Sequence, residues 1–179
     1  NLAFVDLGVN HFTGTIPEDL PAMTSLNQLD LSYNRLTGSI PDVGMLANLG
    51  VMKLNNNKLK GSLPPAIVQS SASMQVLWLQ DNQLTGSLPM SSTGLMDFKV
   101  ANNYLTGSIP QYSANLTYLD IAGNVGLDVA GCADNMASIS RLSVSVADCS
   151  FPDSLVNPER TTLYLSSYLP EDSDKACPA

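Results

Sequence analysis

Residues 77–89 read LWLQDNQLTGSLP, which is an alternating apolar stretch, an asparagine and a tail containing Gly86 and Pro89. Tails of this kind occur at five places: HFTGTIP (11–17), RLTGSIP (35–41), KLKGSLP (58–64), QLTGSLP (83–89) and YLTGSIP (104–110). The preceding asparagines, and a sixth in LDIAGN (119–124) without such a tail, lie 21 to 25 residues apart: Asn10, Asn34, Asn57, Asn82, Asn103 and Asn124. A period of about 20–29 residues indicates small coils stacked along one axis.

The alternation before each asparagine predicts a short strand. In L-x-L the two apolar residues point to one side and the residue between them to the other. Stacked strands then form a parallel sheet whose inner side chains make the core. The asparagine that follows turns inward, and its amide both donates and accepts hydrogen bonds, so it can pair with backbone groups of the turn. We therefore predict that the six asparagines form a structural ladder from coil to coil.

The motif L-x-x-L-x-L-x-x-N-x-L with the tail L-x-G-x-I-P resembles the plant-type leucine-rich-repeat family, which includes receptor-kinase ectodomains and polygalacturonase-inhibiting proteins. The resemblance covers residues 1–124. It implies a right-handed leucine-rich-repeat solenoid with a parallel β-sheet on its concave face. It also implies short 3-10 turns and loops on the convex face and a second short strand in each tail.

The pattern continues in weaker form towards the C-terminus. RLSVSVADC (141–149) and TLYLSSYL (162–169) place Leu142 and Leu163 at strand positions. We therefore predict six plant-type repeats over 1–124, and two degenerate terminal repeats with a cysteine-containing cap over 125–179. All three cysteines lie in this second part. We prefer a Cys132–Cys149 disulfide, which leaves Cys177 either free or paired with another chain.

The strand phase also identifies the side chains that face away from the core, and an extended face of this kind is where solenoids bind ligands. Trp78, the single Trp, is the candidate anchor, because exposed aromatics favour binding. The alternative is that it packs on Lys53 and Lys99 without a ligand. Opposite charges on adjacent strands predict the pairs Asp30–Lys53 and Lys99–Asp120. The full predicted ligand-binding surface is Asp30, Tyr33, Lys53, Asn55, Trp78, Gln80, Asp81, Lys99, Asn102, Tyr118 and Asp120.

Composition argues against several classes of function. The net charge is −8 and no run of Lys or Arg occurs, so nucleic acids and anionic membranes are poor partners. No apolar stretch approaches the roughly 18 residues of a membrane span. His11 is the single histidine, and the sequence contains no phosphate loop, CxxC or HExxH motif. We therefore expect no enzyme activity, no cofactor and no metal site.

Asn115-Leu116-Thr117 is an N-glycosylation sequon, and the polar, weakly charged composition suits a secreted protein. We therefore expect an extracellular location, whether secreted, at the cell surface or in the cell wall, with a glycan on Asn115.

Two functions remain. The first is a recognition module that binds a protein, peptide or glycan on the concave face. The second is a structural subunit of an extracellular fibre, cell wall or matrix, joined through end-to-end contacts. The second reading rests on the first coil, which begins at Asn1 and is expected to expose apolar core. Further copies of the chain, or upstream repeats, would cover that end.

Overall fold

The computed structural model describes residues 2–69, 73–90, 94–128, 139–146 and 162–167. Its strands form two parallel sheets, one of eight strands and one of four. The strands of the large sheet are β1 (Phe4–Asp6), β2 (Gln28–Asp30), β3 (Val51–Lys53), β5 (Val76–Trp78), β7 (Asp97–Lys99), β9 (Tyr118–Asp120), β11 (Arg141–Val146) and β12 (Thr162–Ser167). Their order in the sheet is their order in the chain, as stacked coils require.

The middle residue of each strand keeps the same register through the sheet. Met52 pairs with Leu29 on one side and with Leu77 on the other. Leu142 pairs with Leu119 and with Leu163, so the two weak C-terminal copies add strands in the same register. The predicted leucine-rich-repeat fold class is confirmed. The division of the chain at residue 124 stays a prediction.

The core is continuous from coil to coil. Leu77, Phe98 and Leu119 are fully buried, because each is covered by its own coil and by the coils on either side. One buried apolar cluster extends from Ile16 to Val144. Each such side chain stabilises the stack by roughly 1.5–3 kcal/mol relative to an exposed one.

The tails form the second sheet that the resemblance implies. Its strands are β4 (Lys60–Ser62), β6 (Gln83–Gly86), β8 (Tyr104–Ser108) and β10 (Gly126–Asp128), in the order β10-β8-β6-β4. The first two tails are joined by a single bridge between Thr15 and Thr37. Strand β10 forms although its sequence lacks the Gly–Pro tail, because Gly126 pairs with Thr106 of β8.

The convex side carries short turns, with one difference from expectation. A 3-10 helix spans Leu20–Ala22, as the short segment predicts. The segment PPAIVQS contains one turn of α-helix, α1 (Ala66–Gln69), where the sequence predicts a 3-10 turn. Pro64 and Pro65 immediately precede this turn. Proline is favoured where a helix starts, since the first N–H groups need no partner within the helix.

Each coil also makes a sharp bend just before its ladder asparagine. The residue at this point has a left-handed backbone conformation, which asparagine, aspartate and glycine tolerate best. These residues are Val9, Tyr33, Asn56, Asp81 and Asn102, with φ between 53° and 59°, and Gly123, with φ 71°.

Candidate binding surface on the large sheet

The six asparagines stack in a column beside the sheet. Asn103 is 4% exposed, and its Nδ2 donates to the carbonyl oxygens of Leu79 (3.1 Å) and Val100 (3.0 Å), which belong to successive coils. Its Oδ1 accepts from the backbone N–H of Leu84 at 2.9 Å. Asn34, Asn57, Asn82 and Asn124 make the same set of bonds. These bonds fix the position of each strand relative to the one before it.

Asn10 differs from the other five because it lies in the first coil. Its Nδ2 donates to Leu7 and Gly8 of its own coil. Within the described ranges it makes no bond to another coil through its side chain, and it is exposed. It therefore holds its own turn without linking two coils.

The outward-facing residues form rows across the large sheet, on its concave face. Register places Asp30, Lys53, Trp78, Lys99 and Asp120 side by side on β2, β3, β5, β7 and β9. Adjacent strands lie about 4.8 Å apart, so each side chain in this row is within reach of its neighbours. Five of the predicted ligand-binding residues are thus brought together.

Trp78 is the centre of this row and is held from several sides. The ammonium groups of Lys53 and Lys99 lie 4.7 Å and 3.9 Å from the ring centroid. The indole Nε1 donates to Asp97 Oδ2 at 3.0 Å. Each cation–π contact of this type is worth about 0.5–2 kcal/mol. The ring is therefore half-buried and fixed by its neighbours, and both lysines pack on it as the alternative reading expects.

Tyr118 extends the same arrangement towards the C-terminal coils. Lys99 Nζ lies 4.8 Å from its ring centroid and Arg141 Cζ lies 4.7 Å from it. We call Lys53, Trp78, Asp97, Lys99 and Tyr118 the Trp78 cluster. Cations and aromatic rings alternate through it, so its side chains are already ordered before any ligand arrives.

The ion pairs differ in part from those that the sequence predicts. Lys53 Nζ lies 3.4 Å from Asp30 Oδ2, as expected. The expected Lys99–Asp120 pair is wrong, because Lys99 Nζ pairs with Asp97 Oδ2 at 3.7 Å. Asp97 lies two residues before Lys99 on the same strand, so both side chains face the same way.

The Asp120 carboxylate accepts hydrogen bonds from Ser143 and from the backbone of Ala122, and it does not form the expected ion pair with Lys99. Burial raises the pKa of its carboxyl above the usual value, and this is the largest influence on it. Hydrogen bonds from Ser143 and from the backbone of Ala122, and the charge of Lys99, lower the pKa in part. The carboxylate therefore sits in a half-buried position near the Trp78 cluster.

A second set of polar side chains runs along the bend that follows the strands. Asn102 Nδ2 donates to Asp81 Oδ1 at 2.8 Å, and Asn56 Nδ2 donates to Asp81 Oδ2 at 3.2 Å. Asn55 Nδ2 donates in turn to Asn56 Oδ1 at 2.8 Å. We call these four residues the polar row. Asp81 accepts and cannot donate, so it fixes the orientation of both neighbouring amides.

The remaining predicted surface residues differ in exposure. Tyr33 is 55% exposed, and Asn102 is also accessible. Asn55 is 3% exposed, so its side chain supports the polar row from below and does not face a ligand. Gln80 is half-buried, and neither its Oε1 nor Asn55 Oδ1 has a hydrogen-bond partner among the described residues.

Three contributors to this surface were missing from the predicted set. Asp97 binds the indole, Arg141 packs on Tyr118, and Asn56 joins Asn55 to Asp81. Strand periodicity already places Asp97 and Asn56 on this side. The signal for Arg141 is that it precedes Leu142 as Tyr118 precedes Leu119, but the weak seventh copy obscures it.

Other predicted sites lie apart from this surface. Asn115 is exposed in the loop before β9, and its glycosylation stays a prediction. His11 is exposed beside the first tail. Cys132, Cys149 and Cys177 lie outside the described residues, so the disulfide stays a prediction.

In the described ranges, no group of three or more His, Cys, Asp or Glu side chains is arranged to hold a metal ion. None of the helices found there has the length and apolar character to cross a bilayer.

Known proteins support the same architecture. The Leucine Rich Repeat family matches residues 25–44 and 73–95. Receptor-like protein 35 from Arabidopsis thaliana is 40% identical over 95 residues, which cover 52% of this chain and 10% of that protein. The match thus spans about a tenth of the length of this curated relative.

Two solved structures extend the comparison over more of the chain. The ectodomain of the Arabidopsis thaliana receptor kinase SOBIR1 superposes with a TM-score of 0.63 and 30% identity, covering 69% of this chain and 70% of that one. The plant peptide hormone receptor RGFR1, in complex with RGF2, superposes with a TM-score of 0.77 and 25% identity, covering 92% and 29%. The chain belongs to the plant-type leucine-rich-repeat family.

Proposed function

We propose that this chain is an extracellular recognition module that binds an extended peptide, or a peptide segment of a protein, on the concave face of its large sheet. The ligand would lie across the strands, over the Trp78 cluster and the polar row. The chain would act by binding and not by catalysis.

The observation that carries the proposal is the preorganisation of the concave face. Trp78 is held by two lysines and one aspartate, and Asp81 is held by two asparagines. Side chains that are already ordered lose little conformational entropy when a ligand binds. The surface also combines the aromatic side chains of Trp78 and Tyr118 with charged and amide groups, which is a composition typical of interface hot spots.

The comparison with RGFR1 supports a peptide as the ligand. That receptor was solved with RGF2 bound, and its likeness covers 92% of this chain. Receptor-like proteins and receptor ectodomains among the relatives also support a location outside the cell. The Trp78 ring has a lysine ammonium against it on each neighbouring strand, which leaves little free aromatic face for stacking on a sugar.

The test begins with a random-peptide display library selected on the immobilised chain. Peptides that are enriched would be synthesised, and their dissociation constants measured by calorimetry. Trp78→Ala removes the centre of the cluster, so we expect at least about a tenfold loss of affinity. Trp78→Phe keeps a ring between the lysines and should lose less.

A matched control is Ser87→Ala, an exposed residue in the tail immediately after β6, away from the concave face. This variant should bind the enriched peptides as the parent chain does. Thermal melting would verify that all three variants are folded. Equal affinity of the parent chain and Trp78→Ala, or a library in which no peptide is enriched, would contradict the proposal.

A further inference from the structure

The tails of the second and third coils, beside and within β4 of the second sheet, carry a basic surface that the concave-face proposal does not use. Arg35, Lys58 and Lys60 are three of the eight Lys and Arg residues of the chain, and all three are exposed. In the sequence they are spread over two repeats, so no basic run is visible there. Folding places them on one face of the tails of the second and third coils.

Backbone hydrogen bonds define how close the three residues are. Lys58 N–H donates to Leu36 O and Lys60 N–H donates to Gly38 O, each at 2.8 Å, so the third tail lies directly beside the second. Neighbouring strands are about 4.8 Å apart, and alternate residues on one strand are about 6.6 Å apart. Consecutive members of the trio are therefore separated by about 7–8 Å at their Cα atoms. Leu36 and Leu59 alternate with them and are buried, so the basic side chains point outward.

These three charges form no ion pair among the described residues. Among the described residues, Arg35, Lys58 and Lys60 have no carboxylate within 4.0 Å, whereas Lys53 and Lys99 on the concave face are both paired. Glu18 and Asp42 line a cavity that also includes Ser39, but they form no ion pair with the trio. An unpaired basic cluster on a chain of net charge −8 is a local site of positive potential.

The surroundings of the trio are polar. The side chains of Thr37, Ser39 and Ser62 are exposed between and beside the basic residues. None of the large exposed hydrophobic side chains lies at 35–39 or 58–62. Protein interfaces are centred on buried aromatic or apolar anchors, and neither of these two segments carries one. The exposed Tyr104 lies on β8, two strands away from β4 in the second sheet. The chemistry of the two segments fits a ligand with repeated negative charges and many hydroxyl groups.

We propose that this basic flank, defined by Arg35, Lys58 and Lys60, binds an anionic polysaccharide through its carboxylate or sulfate groups. The three cations pair with successive acidic groups along the polymer. The hydroxyls of Thr37, Ser39 and Ser62 hydrogen-bond to the sugar hydroxyls between them. The second sheet then attaches the solenoid to an extracellular polymer, while the concave face stays open.

The test uses the full chain and four immobilised polymers: alginate, which carries carboxylates, dextran sulfate, neutral dextran and poly-glutamate. We expect binding to alginate, to dextran sulfate or to both, and none to neutral dextran. Which of the two is bound identifies the acidic group. Because exposed charges are screened by salt, affinity should fall steeply as ionic strength rises.

The decisive variant is Arg35→Gln, Lys58→Gln and Lys60→Gln together, with an expected loss of at least about tenfold in affinity for the bound polysaccharide. The matched control is Lys53→Gln, Lys99→Gln and Arg141→Gln, which lowers the net charge by the same amount on the concave face and should keep that affinity. Melting curves and circular dichroism verify that both are folded.

Several results would overturn the proposal. The first is an equal loss of polysaccharide affinity in the two triple variants. The second is binding that does not change with salt, and the third is no binding to either acidic polysaccharide. The fourth is tighter binding to poly-glutamate than to the polysaccharides, which would indicate an acidic protein partner. The proposal is independent of the peptide proposal, since the basic-flank variant should bind display-selected peptides as the parent chain does.

Discussion

At the scale of single residues, the asparagine ladder shows how one side chain links two coils. Asn103 joins carbonyls of two successive coils and an N–H of the preceding tail, all in a buried setting. The buried leucines contribute most of the hydrophobic stabilisation, but hydrophobic contacts have no preferred direction. The asparagine supplies direction, because its donors and acceptor have fixed geometry.

The first prediction concerns Asn103→Ala. The change leaves the Leu84 N–H without its partner and removes one of the two donors to the carbonyl oxygens of Leu79 and Val100. An unpaired buried group costs about 1–3 kcal/mol. We expect a fall of this size in the free energy of unfolding, measured by urea denaturation. Asn10→Ala is the control, because that side chain is exposed and bonds within its own coil. A loss at Asn10 as large as that at Asn103 would contradict the role in linking coils.

At the scale of elements, the bend between the large sheet and each tail restricts the amino acid most, because the residue at the bend must adopt a positive φ. Its left-handed residue is asparagine or aspartate in three coils and glycine in the sixth. At Gly123 an added Cβ would overlap Asn102 Oδ1 and would also lie 3.0 Å from the Asn102 backbone nitrogen. Two causes therefore favour glycine at this position. A side chain here would collide with Asn102 of the polar row in the preceding coil, and the φ of 71° disfavours any residue with a Cβ.

The second prediction separates these two causes. Gly14 also has a positive φ, of 88°, but an added Cβ there meets nothing within 4 Å. Gly14→Ala should therefore show the backbone cost alone, roughly 1 kcal/mol. Gly123→Ala should lower the melting temperature clearly more, since Asn102 must move and its bond to Asp81 is disturbed. Equal melting temperatures for the two variants would show that the contact with Asn102 adds no cost at residue 123.

At the scale of the whole molecule, stability comes from each coil covering the next. Leu77 in the fourth coil is 0% exposed, because β3 and β7 flank its strand. Val5 has the same place in the first coil, where β2 is its single neighbour in the described sheet, and it is partly buried. Phe4 and Val9 of that coil are 68% and 80% exposed. Stability is thus a sum over neighbouring coils.

The third prediction compares truncations to alanine at the same strand position in these two coils, where leucine loses one carbon more than valine. Leu77→Ala leaves a cavity in a fully packed region and should cost about 2–5 kcal/mol. Val5→Ala, in the half-covered coil, should cost less than about 1.5 kcal/mol. Urea denaturation of both variants, followed by circular dichroism, provides the comparison. Similar losses at the two positions would show that packing does not depend on coil position.

The sequence by itself determined the repeat, the strand phase and which strand positions point away from the core. These follow from local rules, because each coil has the same alternation, the same asparagine and nearly the same tail. The weak copies at Leu142 and Leu163 were also predictable, since spacing identifies a strand even where the ladder asparagine is missing.

Tertiary structure decided which of those side chains meet. The local pattern could not show that Lys99 pairs with Asp97 and not with Asp120, or that Asp97 binds the Trp78 indole. It could not show that Asn55 is buried, or that Arg35, Lys58 and Lys60 gather on one face. The physical reason is that strand phase depends on bonds within one coil, whereas the depth of burial and the choice among several charge partners depend on how all the neighbouring side chains, in the same coil and in the next, are placed.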